Sequence, residues 1–159
     1  MAIMSYSLDG LHLTEQFEGC KLTAYQDVKG ILTIGYGHTA GVTEGMTITQ
    51  AQADAFLQDD IQWAVHVVNG LVKTSLTQPE FDAIVDFVFN VGSGNFASST
   101  LCRLLNAGEI AAAANEFEKW DKSGGVTVAG LLRRRVAEEN LFKTTFSAPW
   151  AAGSTNTNE

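Results

Sequence analysis

Two carboxylates and a hydroxyl residue, Glu18, Asp27 and Thr33, fall within one run, EGCKLTAYQDVKGILTIGYGHT, from Glu18 to Thr39. That set suits acid-catalysed cleavage of a glycosidic bond. One carboxylic acid protonates the leaving oxygen, and a second carboxylate handles the water or the developing cation. Glu18 follows Phe17 at the end of an amphipathic stretch, where it is partly desolvated. Desolvation, and the negative end of a helix dipole, both favour the protonated form that a general acid needs. Asp27 sits among turn residues, where an aspartate commonly caps the turn; read functionally, it is the ionised partner. Thr33 fills a strand with its β-branch, or holds a water with its hydroxyl.

The elements that must position these groups can be read from spacing. Leu13 and Phe17, after Ser7 and Asp9, predict a short first helix that ends near Gly19 and carries Glu18 at its C-terminus. From Ala24 to Val42 strand formers alternate with glycines, and Gly30 after Val28 and Lys29 reads as a hairpin turn. This predicts a small, twisted, partly buried antiparallel sheet. Thr49 with Gln52 is a capping box for a helix of about 20 residues, roughly 30 Å long, stopped at Asn69-Gly70. Thr77 with Glu80 is a second box, with Pro79 in the first turn. Further helices are predicted around Leu101–Leu105, from Ile110 to near Trp120, and over LLRRRVAEENLF after a KSGGVTVAG loop. The architecture expected is α+β and mostly helical: a small β-containing N-terminal lobe, a long connecting helix and a helical C-terminal lobe. One domain over 1–146 would hold both lobes, with a cleft between them, and 147–159 would form a flexible tail.

Composition narrows the partners. The chain has 159 residues, 45% of them hydrophobic, and a net charge of −8. The acidic balance argues against nucleic acid and anionic membranes, which rely on clustered Lys and Arg. No apolar run approaches the roughly 18 residues of a membrane span, so stable membrane insertion is not expected. MAIMSYSLDG lacks the pattern of a cleaved secretion signal, so accumulation in the cytoplasm is expected. Cys20 and Cys102 lie far apart and read as reduced, partly buried thiols. His12, His38 and His66 are equally scattered. No metal or cofactor is implied, and His38 reads as a structural, hydrogen-bonded histidine.

The motif Glu18-Gly19, Leu22, Tyr25, Asp27, Gly30, Thr33-Ile34-Gly35, Gly37-His38 resembles that of the phage-type lysozymes, the muramidases used as endolysins by tailed bacteriophages. The resemblance extends through FVFNVGSGNFASSTLCRLLN to Trp120, Gly124-Gly125 and the block from Gly130-Leu131 to Arg135, covering about residues 8 to 145. It implies hydrolysis of the β-1,4 bond between N-acetylmuramic acid and N-acetylglucosamine in peptidoglycan, leading to host cell lysis. Glu18 would be the general acid, Asp27 the carboxylate that activates water or supports the cation, and Thr33 the residue that positions the water. The family is inverting, which implies carboxyl groups roughly 6.5–9.5 Å apart. An arginine from the last block pairs with the catalytic glutamate in the family; here Arg133, Arg134 and Arg135 all remain open, the others being expected on a solvated face. Asn90 and Ser99 are the expected substrate-binding residues. The acidic charge departs from the basic character common among lysozymes. A monomer is expected, waiting in the host cytoplasm for a holin-type hole and acting on the wall from the periplasm.

Two other functions use the same sequence features. A lytic transglycosylase would need one acid and no water, leaving Asp27 and Thr33 dispensable. A non-catalytic glycan-binding or virion module would need neither acid for its effect.

Overall fold

A computed structural model describes residues 3–144. The flexible tail expected over 147–159 lies outside the described residues. Helix α1 spans Leu8–Glu18, with the Ser7 hydroxyl capping its first turn at the Gly10 N–H. It buries Leu11, Leu13 and Thr14. Gly19 ends it with φ of 67°, a conformation that glycine adopts at no steric cost. The chain then forms strands β1 (Lys21–Gln26) and β2 (Leu32–Gly35), paired antiparallel with Tyr25 opposite Thr33. The turn between them closes at Gly30, whose φ is 78°. The register shifts between Lys21 and Tyr25, so the pair is irregular. The segment around Thr47 runs antiparallel to β1 on its other side, bonded through Ala24 to Met46 and Ile48 to Leu22.

The expected long helix is two. Helix α2 covers Gln50–Asp60 and α3 covers Gln62–Leu71, meeting at Ile61. The physical cause is local: the Gln58 carbonyl accepts from the Gln62 side-chain amide at 3.0 Å, and Ile61 takes ψ of −10°. Nor does Asn69-Gly70 stop α3. The Asn69 side chain bonds the Met4 backbone, accepting from its N–H and donating to its carbonyl, each at 2.9 Å, so the amide straps the N-terminal segment to α3 while the helix continues to Leu71.

Both capping boxes form. Thr49 and Gln52 open α2; Thr77 and Glu80 open α4 (Gln78–Val91), with Pro79 in its first turn. After Gly92 come α5 (Ser93–Ala97) and α6 (Thr100–Asn106). The helix expected from Ile110 to Trp120 divides into α7 (Ile110–Ala114) and a 3₁₀ turn, Phe117–Trp120. The expected KSGGVTVAG loop contains a hairpin of β3 (Lys122–Ser123) and β4 (Val126–Thr127), turned by Gly124 and Gly125, which read as the paired glycines of a tight turn. Helix α8 (Ala129–Phe142) completes the described chain.

Buried apolar residues fall into two clusters. A small one, Ile34, Ile48 and Ala53, joins β2 to α2. The large one is organised around α4, which packs against α1, α3, α5 and α8. Phe87 lies at its centre, edge-on to Phe96, Phe117 and Trp120. This core fixes α4 and α8 side by side, and with them the charged side chains that meet Glu18.

Candidate active site

Glu18 ends α1 with its side chain 25% exposed, and its Oε1 accepts from Arg134 Nη1 at 2.8 Å. Arg134 is therefore the arginine, of three consecutive candidates, that reaches the proposed acid. Successive helical residues point about 100° apart, so the three diverge. Arg133 is exposed, in line with a solvated face. Arg135 is not on such a face: it is fully buried, donating to Glu138 Oε1 at 2.7 Å with its guanidinium 5.0 Å from the Phe87 ring centroid. It packs under α4 because its position on α8 faces the core.

Arg134 is held from behind. Its Nε and Nη2 donate to the two oxygens of Asp86, each at 2.9 Å, a bidentate grip that leaves Nη1 for Glu18. Asp86 is fully buried and also accepts from Thr14 Oγ1 at 2.8 Å. Tyr6 Oη lies 2.7 Å from Thr14 Oγ1 and donates to the Gly10 carbonyl, also at 2.7 Å, which fixes the tyrosine behind Thr14. Burial pushes Asp86 up, but hydrogen bonds from Glu138, Arg134 and Thr14, with the Arg134 charge, outweigh it and hold the carboxyl below the usual range. Arg134 is pushed further up despite its burial, by Asp86 and then Glu18. Burial also drives Tyr6 up, aided by the charge of Asp86.

Glu138, one turn beyond Arg134, is fully buried within hydrogen-bonding reach of Asp86. Burial first, and the Asp86 carboxylate second, raise it well above the ordinary range. Its Oε2 meets no N–H or O–H donor. A proton on Glu138 accounts for both facts, since it turns two apposed carboxyl groups into an acid–carboxylate hydrogen bond. Sequence reading missed Tyr6, Thr14, Asp86 and Glu138. The signal was there: Asp82 and Asp86 lie four apart on the apolar face of α4, and Arg134 and Glu138 four apart on α8.

A concavity of about 1020 Å³ opens beside this cluster. Gln16, Phe17, Glu18, Asn90, Leu131 and Asn140 are among the residues lining it. Asn90 is thus brought to the Glu18 groove. Ser99 is not among its lining residues. It is the N-cap of α6, accepting from the Cys102 N–H at 3.0 Å and donating to the Phe96 carbonyl at 2.6 Å. Both capacities of its hydroxyl serve the helix start, which explains why a serine stands there.

Asp27 and Thr33 lie on the hairpin. Asp27 Oδ1 accepts from the N–H groups of Lys29 and Ile31, at 2.8 and 2.9 Å. The turn-capping role is real, and the bonds of the turn leave Oδ2 out. Thr33 is 4% exposed and donates its hydroxyl proton to the Ile31 carbonyl at 2.9 Å, which leaves its lone pairs as acceptors. His38 bonds Asp60 through Nδ1 at 2.8 Å and stacks on Phe56, tying β2 to α2 as a structural histidine. Cys20 lies beyond the end of α1 and is exposed rather than partly buried; Cys102 is buried, and both thiols are free. Among the described residues no group of His, Cys, Asp and Glu has metal-site geometry.

Residues 15–138 match the family model described as phage lysozyme. The chain belongs to the phage lysozyme family. It is 46% identical over 144 residues to the endolysin of Bacillus phage PZA, an alignment covering 89% of this chain and 56% of that protein. The chain thus spans about half the length of that curated relative. Among solved structures, the P22 lysozyme is 39% identical with a TM-score of 0.84, and covers 89% of this chain and 99% of its own. The muramidase domain of SpmX from Asticaccaulis excentricus is 40% identical with a TM-score of 0.82, over the same shares of the two chains. These likenesses place the α1–hairpin–α2 arrangement and the helices behind it in the lysozyme fold, α+β as the spacing of the sequence implies.

Proposed function

We propose that this phage lysozyme domain acts as an endolysin, a glycoside hydrolase that cleaves the β-1,4 bond between N-acetylmuramic acid and N-acetylglucosamine in peptidoglycan and so lyses the host. The observation that carries the reading is Glu18 at the edge of an open groove, gripped at 2.8 Å by an arginine that is itself anchored in the core. Membership of the phage lysozyme family supports it.

In this reading a glycan strand lies in the groove, with Asn90 offering a side-chain amide to the sugar. Glu18 gives its proton to the glycosidic oxygen as the bond to the anomeric carbon breaks. Water attacks that carbon from the opposite face, and its proton passes to Asp27. The Thr33 hydroxyl, its own proton held by the Ile31 carbonyl, accepts a hydrogen bond from the water and orients it. Attack from the opposite face inverts the anomeric configuration. The Asp27 carboxylate is pre-set for this by the two backbone N–H groups that fix Oδ1. No cofactor enters the scheme. The protein works as a monomer, accumulates in the host cytoplasm and reaches the wall from the periplasmic side through a holin-type hole. Among the described residues no helix is long and apolar enough to cross a membrane.

Digestion of purified peptidoglycan followed by immediate anomeric analysis tests the chemistry. The expected product is a reducing muramic end of inverted configuration. A retained configuration would refute the roles of Asp27 and Thr33, and an anhydro-muramic end would replace hydrolysis with transglycosylation.

A further inference from the structure

An arginine against a general acid poses a problem. A guanidinium 2.8 Å from a carboxylate favours the ionised form, whereas the acid must carry a proton to work. The geometry behind Arg134 resolves it. Two of the three N–H groups that Arg134 uses go to Asp86, which is fully buried, and only one to Glu18, which is partly solvated. A buried carboxylate interacts with the guanidinium through low-dielectric surroundings, a partly solvated one through water, so Asp86 takes the larger share of the charge. Side chains from α1, the N-terminal segment and α8 stand around Asp86. Thr14 comes from α1, Tyr6 (through Thr14) from the N-terminal segment, and Arg134, Arg135 and Glu138 from α8. Around Glu18 itself, Arg134 is the paired cation, and Arg133 lines the same groove.

We propose that Asp86 is a positioning residue for the reaction: by clamping Arg134 through Nε and Nη2 it aims Nη1 at Glu18 and offsets the guanidinium charge that Glu18 faces. This rests on the reading of Glu18 as the general acid. Thr14 helps to keep Asp86 in its ionised, gripping state, and Glu138 satisfies it with a further hydrogen bond. Asp86 touches no substrate; it acts through Arg134.

The test is the pH profile of wall hydrolysis by Asp86→Asn. Asparagine matches the shape, its Oδ1 can accept from Thr14 or Arg134, and its amide can donate to Glu138. The full guanidinium charge then falls on Glu18. The alkaline limb of the profile should move down by about one pH unit, with roughly a tenfold lower rate above the limb and KM nearly unchanged. A limb that stays in place in a folded Asp86→Asn protein overturns the proposal. If the variant fails to fold, carboxyl ¹³C shifts of the wild type decide: Asp86 must stay ionised throughout the working pH range, and titration within that range overturns the proposal. The two readings fail separately. Full activity in Glu18→Gln removes the general acid itself, whereas an inactive Glu18→Gln with an unshifted Asp86→Asn removes only the positioning role.

Discussion

Replacing Arg134 by methionine isolates the cost of the buried cluster. Arg134 is 6% exposed and makes three charge-assisted hydrogen bonds, two to Asp86 and one to Glu18. The two partners respond differently to its loss. Glu18 is 25% exposed and can rehydrate, so its bond contributes at most about 1 kcal/mol. Asp86 is fully buried and keeps only Thr14 and Glu138 as donors. Orphaning a buried ion in this way costs roughly 3–5 kcal/mol. For a chain of this size each kcal/mol lowers the melting temperature by roughly 2–4 °C, so Arg134→Met should melt on the order of 10 °C below the wild type. Adding Asp86→Asn removes the orphaned charge, so the double variant should be more stable than Arg134→Met alone. Melts followed by circular dichroism at neutral pH measure both. A single variant within about 2 °C of the wild type, or a double variant no more stable than the single, would contradict the claim that Asp86 is a buried anion dependent on Arg134.

Stability should also depend on pH through Glu138. Unfolded, this carboxyl gives up its proton near about 4.3; folded, burial raises that point well above the ordinary range. Between the two, folding takes up a proton, so stability falls as pH rises, by up to about 1.4 kcal/mol per pH unit. Glu138→Gln cannot ionise and should therefore gain on the wild type as pH rises from about 4 to 8, measured by melting temperature; a difference independent of pH would sink the protonated assignment. Asp86 works in the opposite sense: held below the usual range, its contribution is present above about 3.9 and is lost as pH falls through its lower folded value. Thr77→Ala removes one half of the capping box of α4 and should cost about 1 kcal/mol, seen as a small drop in melting temperature with activity retained at permissive temperature.

Local chemistry made much of this molecule legible in its sequence. Ser7, Thr49 and Thr77 announce helix starts, Gly19 and Gly30 announce breaks, and the apolar spacing of Phe81, Ile84, Val85 and Val88 gives the core face of α4. The proposed reacting trio could be named because its members lie within one short run. The misreadings had non-local or side-chain causes. Where α2 divides from α3 the Gln62 side-chain amide takes the Gln58 carbonyl, and Asn69, instead of ending α3, turns its side chain to Met4, more than sixty residues earlier. Arg134 could not be told from its neighbours until α8 was placed against α4. Asp86 and Glu138, separated by about a third of the chain, gain meaning only once the fold sets them together.

The central claim is that Glu18 is the acid that breaks the glycan, and its substitution by glutamine tests this most directly. Glutamine keeps the shape and can still accept from Arg134 Nη1, so Glu18→Gln should fold and melt like the wild type. Without a proton to give, its rate on purified peptidoglycan should fall by at least about a hundredfold. A folded Glu18→Gln protein that clears cell walls at the wild-type rate would contradict the account.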